Sequence, residues 1–167
     1  EGVFYQIPNV GYFVKNVTSS DLLQIYQVRE CVELFAMNKA FDAISKEDLS
    51  RMRELAREVS AARKANQTSK SVDLDIALHR IPLERYGNDY LLTLYDELRG
   101  RYKMQISKRI SALEAQSLLE DTSHEELLDA IQAGNKQDAM EKLKDYIDMA
   151  IRNLFTKYVK CREKLKP

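Results

Sequence analysis

From Ser19 onward the apolar residues return at intervals of three and four, and little interrupts them. That spacing puts side chains on one face of an α-helix and, repeated along a chain, commits it to a helical bundle. The residues that break helices are scarce: 5 Gly and 3 Pro among 167 residues, where ordinary usage would supply about 20. An all-β sandwich needs turn residues about every 8–12 positions, and the sequence does not provide them. Apolar residues make up 44%, and 26 Lys+Arg balance 26 Asp+Glu, which argues against disorder and against a basic nucleic-acid grip within this chain.

Residues 1–16 stand apart. Val3, Tyr5 and Ile7 alternate as in a strand, Pro8-Asn9 marks a turn, and Gly11-Tyr12-Phe13-Val14 reads as a second strand. A lone two-stranded ribbon is marginal in water. With no Met at position 1, this ribbon is expected to be the remnant of a domain lying upstream. The expected division is therefore 1–16 and an all-α domain over 17–167.

Six or seven helices are expected in that domain, packed as an antiparallel bundle. Ser20 is a plausible cap for a helix to about Ile44. One of its rows runs through Leu22, Ile25, Tyr26, Arg29, Val32, Ala36 and Ala40, and a second holds Val28, Cys31, Leu34, Phe35 and Phe41. Apolar rows on two sides predict a central helix. Ser45 with Asp48 forms a capping-box pattern opening a helix to Ala65, whose Arg51, Arg53, Glu54, Arg57 and Glu58 are read as solvated surface. A third helix spans about Ser71–Arg85, with Pro82 predicting a kink. A fourth follows Gly87-Asn88, with a possible break at Gly100 and an end before Asp121. Ser123 and Glu126 predict a capping box for a short helix stopping at Gly134, and a last helix covers about Lys136–Lys164.

Cys31 and Cys161 fit no metal or CxxC spacing, consistent with free thiols in a reducing cytosol. No run of 18 apolar residues suggests a membrane span. No nucleophile elbow, P-loop or dinucleotide fingerprint is present.

Three places carry distinctive chemistry. Asp75 and His79, at i and i+4, share a helix face and make half of a divalent-cation site, or else a simple surface pair. His124 lies in a first helical turn, where the helix terminus disfavours imidazolium and so preserves a neutral, metal-competent ring. Arg29 interrupts an apolar stripe. A buried guanidinium needs a partner, either Glu33 at i+4 or an anionic ligand held in its fork.

In order and spacing, four segments together resemble the effector (FCD) domain of GntR-superfamily transcription regulators of the FadR-like branch. Glu1-Gly2, Pro8 and Gly11-Tyr12-Phe13-Val14 resemble the closing wing of that family's winged helix-turn-helix. Ile25-Tyr26-Gln27-Val28-Arg29 resembles its opening effector-domain helix. Asp75-Ile76-Ala77-Leu78-His79 with Gly87-Asn88 resembles its D-x-x-F-H … G-N element. His124, Asp129-Ala130-Ile131 and Gly134-Asn135 resemble its H-x-x-I-x-x-A-I-x-x-G-D element.

The resemblance implies a metal site built on Asp75, His79 and His124, holding zinc or nickel. The fourth ligand position falls on Tyr146, a phenol where the family has imidazole. Either three protein ligands are joined by water or effector, or the metal is weak or absent, and Tyr146 instead binds the effector. By the same resemblance Arg29 holds a small carboxylate effector. The implied protein is a cytoplasmic bacterial homodimer that binds operator DNA through its upstream domain and is not an enzyme. The alternatives are a helical interaction module without ligand, in which Asp75 and His79 only pair, and a metal-dependent hydrolase.

Overall fold

The computed structural model describes residues 4–7, 11–14, 19–109 and 123–164, with side chains for 20–21, 23–103 and 123–153. Strands β1 (Phe4–Ile7) and β2 (Gly11–Val14) pair antiparallel, with Phe4 opposite Val14 and Ile7 opposite Gly11. Among the described residues, six α-helices follow: α1 (Ser19–Ala40), α2 (Lys46–Lys64), α3 (Thr68–Tyr86), α4 (Asp89–Arg109), α5 (Glu125–Gln132) and α6 (Lys136–Lys164). The architecture is an all-α bundle. The expected segment between α4 and α5, and the side chain of Cys161, lie outside the described residues.

Local chemistry sets most helix boundaries. α1 gives way at Phe41–Ala43 to a single 3-10 turn, four residues before the expected end at Ile44. Ser45 then caps α2 with both halves of a capping box: Ser45 Oγ accepts from Asp48 N at 3.1 Å, and Asp48 Oδ2 accepts from Ser45 N at 2.9 Å. Gly87, at φ 71°, closes α3 in the left-handed region that glycine enters without strain. Gly134 does the same after α5, where Gly134 N and Asn135 N reach back to Ile131 and Ala130 carbonyls. Pro82 lies within α3 and is buried in the core.

Four expectations need correction. α4 runs unbroken through Gly100, because one glycine costs only about 1 kcal/mol in a helix held by packing on both sides. The Ser123 capping box does not form. Ser123 Oγ accepts from Glu125 N at 3.2 Å, but Glu126 turns outward to Lys142 Nζ, 2.8 Å away. The second row of α1 is not uniformly buried: Phe41 is enclosed, whereas Val28, Cys31 and Phe35 face outward. Finally, Arg53 is not merely solvated. Its Nη2 donates to Asp129 Oδ1 and Gln132 Oε1, both at 2.7 Å, and so ties α2 to α5.

The main core joins α1, α2, α3, α5 and α6 through Met37, Met52, Leu78, Ile81, Leu128, Leu143 and Ile147. A smaller cluster packs Val32, Ala36, Leu83 and Tyr95 where α1, α3 and α4 meet. Each large aliphatic side chain so enclosed contributes about 1.5–3 kcal/mol relative to exposure. Polar side chains lie among them at the level of Asp75, and that is where the chemistry concentrates.

Candidate metal centre

Helical periodicity delivers one polar side chain after another to the same interior point. On α3, Val72, Asp75, His79 and Pro82 fall on the buried face. On α1 the buried face carries Tyr26, Arg29, Glu33 and Ala36, on α4 Tyr95, Arg99 and Tyr102, and on α6 Leu143, Tyr146 and Ile147. Arg63 enters from the end of α2, and His124 from the N-cap position of α5. The Arg53 clamp on α5 fixes where that N-terminus sits.

Asp75 is the hub. Its Oδ1 accepts a short hydrogen bond from the Tyr146 hydroxyl and lies 3.2 Å from His124 Nε2 and 3.8 Å from His79 Nε2. Its Oδ2 accepts from Arg99 Nη2 at 2.9 Å, with Arg29 Nη2 3.6 Å away. Arg63 Nη2 approaches Oδ1 at 3.8 Å and donates to the Tyr146 oxygen at 3.3 Å. Burial alone would raise the Asp75 pKa, but the His124 hydrogen bond and the charges of His79, Arg29 and Arg99 outweigh it and hold the carboxyl well below its usual range.

Glu33 performs a parallel task. Arg29 Nε donates to its Oε1 at 2.6 Å, and His79 Nδ1 lies 3.1 Å from its Oε2, close enough for an ion pair although poorly aligned for a hydrogen bond. Burial pushes this carboxyl up, yet Arg29 and His79 together bring it down to about 2. A carboxylate facing Nδ1 assigns the ring proton there and leaves the His79 Nε2 lone pair directed at His124, 3.2 Å away. Burial lowers His124 to about 4 against the opposing pull of Asp75, so its ring is neutral at pH 7.

Asp75, His79 and His124 each offer a ligand atom to one point, all buried and mutually within 4.8 Å. The donor set passes a geometric test. Ligands about 2.1 Å from a tetrahedral zinc ion stand about 3.4 Å apart, and the three edges here are 3.2, 3.2 and 3.8 Å. Two imidazoles and a carboxylate suit zinc or nickel better than calcium or magnesium. Glu33 behind His79 supplies the carboxylate that commonly orients a ligating imidazole. Tyr146 packs on both imidazoles, 4.3 Å from His124 and 5.0 Å from His79 between ring centroids. Burial and the neighbouring Asp75 raise its pKa, so the phenol stays neutral and acts as a donor, not as a phenolate ligand. The arrangement leaves three protein ligands and room for one exogenous group.

The structure brings all five sequence-selected residues together: Asp75, His79, His124, Arg29 and Tyr146. Both alternatives weighed for Arg29 bear on one residue, since it pairs with Glu33 and still presents Nη2 to the centre. Sequence reasoning missed Arg63 and Arg99, and the orienting part of Glu33. Tyr95, Arg99 and Tyr102, at i, i+4 and i+7, are the one pattern that could have revealed Arg99, as a charge inside an aromatic stripe.

The FCD domain family model matches residues 24–149. No curated protein matches the sequence. Among solved structures the fold is similar to Escherichia coli McbR/YncC, at 19% identity and a TM-score of 0.76, over 93% of this chain and 74% of that one. It is also similar to a GntR-family transcriptional regulator of Pseudomonas syringae pv. tomato, at 13% identity and a TM-score of 0.66, over 97% and 66% of the two chains. The metal-free FCD domain of the regulator TM0439 aligns at 23% identity and a TM-score of 0.59, over 85% of this chain and 99% of that domain. Among the described residues, no helix is long and apolar enough to cross a membrane.

Proposed function

This chain belongs to the FCD domain family, and from that premise we propose that it is the ligand-sensing part of a cytoplasmic GntR-type transcription regulator, responding to a small organic acid. Its β1–β2 ribbon is read as the closing wing of an upstream DNA-binding domain, and residues 17–167 as the sensor. The observation that carries the reading is the convergence of three metal-competent donors and three guanidinium groups on one buried point. A helical interaction module has no use for such a centre, because burying unpaired charge costs several kcal/mol per ion. A hydrolase needs a general base beside the metal position. Here Glu33 is engaged by Arg29 and His79, and Asp75 is saturated with donors, so neither carboxylate is available for that task.

Asp75, His79 and His124 hold the divalent ion, with zinc or nickel the matching class. When bound, the ion supplies a Lewis-acidic position for an acid group of the effector. Glu33 fixes the His79 tautomer, and Tyr146 and Arg63 brace Asp75. Arg29 meets the same acid group through Nη2. Effector binding then favours one arrangement of α1, α3, α4 and α6 over another, in proportion to its differential affinity. Two copies transmit that choice as the spacing of their DNA-reading heads. The outward Val28 and Phe35 of α1, with Leu94 and Tyr90 of the adjoining α4, are the apolar surface assigned to the dimer.

Elemental mass spectrometry of the gently purified chain tests the centre. About one equivalent of zinc or nickel is expected, with His79→Ala losing it. A metal-free protein that also fails to take up added Zn²⁺ or Ni²⁺ would remove the metal from the reading.

A further inference from the structure

The buried centre does not balance its own charge. Three guanidinium groups, Arg29, Arg63 and Arg99, stand against two carboxylates, Asp75 and Glu33, and all five residues are at most 7% exposed. Guanidinium does not deprotonate in a protein, so the excess of one positive charge is permanent. A divalent ion on Asp75, His79 and His124 would raise the excess to three. Charge enclosed in a core is costly unless an opposite charge meets it.

The donors show where the missing negative charge belongs. Arg99 spends Nη2 on Asp75 Oδ2, while its Nε and Nη1 are buried without a hydrogen-bond partner. Arg29 spends Nε on Glu33, and its Nη2 is likewise buried without one. Tyrosine faces hold both groups in place: Arg99 Cζ lies 5.2 Å from the Tyr102 ring and 5.8 Å from Tyr95, and Arg29 Cζ lies 5.6 Å from Tyr26 and 5.9 Å from Tyr146. Leaving such donors unpaired costs more than an ordinary hydrogen bond gains. Arg29 and Arg99 come from different helices, α1 and α4, and both reach Asp75 Oδ2. A ligand group beside Asp75 can therefore touch both helices at once.

We infer that the effector carries two acid groups, one at the Asp75–His79–His124 face with Arg29 and the other on Arg99. This deepens the proposed function and rests on it. A monoacid leaves the Arg99 donors unmatched and the centre positive. A diacid satisfies both and bridges α1 to α4, which is also the means by which it can reposition one helix against the other. Arg99 is then the residue that selects diacids over monoacids.

Isothermal calorimetry on the purified chain, with and without one equivalent of Zn²⁺, tests this using matched pairs: succinate against butyrate, and malate against 2-hydroxybutyrate. Phosphoglycolate forms a separate arm, distinguishing a phosphate from a second carboxylate as the second group. At least one diacid should bind ten-fold or more tighter than its monoacid partner, or phosphoglycolate ten-fold tighter than glycolate. Arg99→Gln should shrink that ratio below about two-fold while leaving monoacid affinity nearly unchanged. Arg99→Lys, which keeps the charge but loses the fork, should retain part of the preference. Should Arg99→Gln fail to fold, the wild-type ratio and Arg99→Lys still decide. Monoacids binding as tightly as diacids would overturn the diacid inference alone. Binding by no acid of either kind would overturn both it and the proposed function.

Discussion

Replacing Asp75 by Asn changes one atom and tests whether the interior is built around that carboxylate. Both oxygens of Asp75 accept: Oδ1 from Tyr146 and His124, and Oδ2 from Arg99. An amide accepts on one edge only, so in either orientation its NH₂ meets a donor. The charge count moves from three against two to three guanidiniums against Glu33 alone. A hydrogen bond to a charged group is worth about 1.5–3 kcal/mol, and removing one member of a buried ion pair costs about 3–5 kcal/mol. The second figure governs, because the guanidiniums stay buried after the change. At about 2–4 °C per kcal/mol for a domain of this size, Tm should fall by about 6–20 °C. Circular dichroism melts and urea titrations in EDTA at pH 7 read this without any contribution from metal. A loss below about 1 kcal/mol would show that water or local rearrangement compensates the arginines, and the buried-hub reasoning would fail with it.

Three further outcomes follow from the same geometry. Glu33→Gln removes the carboxylate behind His79 and should weaken Zn²⁺ binding about 10–100-fold in competition with a chromogenic chelator; an unchanged affinity would deny Glu33 its orienting part. Tyr146→His puts imidazole where the phenol packs on both histidines and should tighten zinc binding at least ten-fold in the same assay; weaker binding would mean that position 146 does not border the ion. The Arg85 hydrogen bond, followed by the Ser45 contacts, holds the Asp48 pKa below its ordinary value. Its stabilising contribution is thus complete above the unfolded pKa of about 3.9 and is lost as pH falls through the lower folded value. Asp48→Asn should flatten this part of the acid-denaturation curve, and a variant with the parent's curve between pH 5 and 2 would refute the assignment.

What the sequence by itself determined was whatever depends on near neighbours. The 3.6-residue period, the Ser45–Asp48 box and the glycines at 87 and 134 act within a turn or two of chain, so the helices and most of their ends were legible. The pairing of Asp75 with His79 is equally local, being one helical turn apart. Polar boundary patterns were less dependable: Ser123 and Glu126 have the letters of a capping box, but Lys142 on α6 offers Glu126 a better partner. Tertiary structure alone decided which charges are interior. Arg99 and Arg101 are two residues apart and alike in composition, yet one is 2% exposed and the other lies on the surface, because α4 turns only the first toward α1 and α3. Likewise Glu33 became the carboxylate behind His79, and Arg63 a brace for Tyr146, only when α1, α2, α3 and α6 met. A guanidinium far along the chain has no local signature of burial. Its place depends on which carboxylate the fold carries to it.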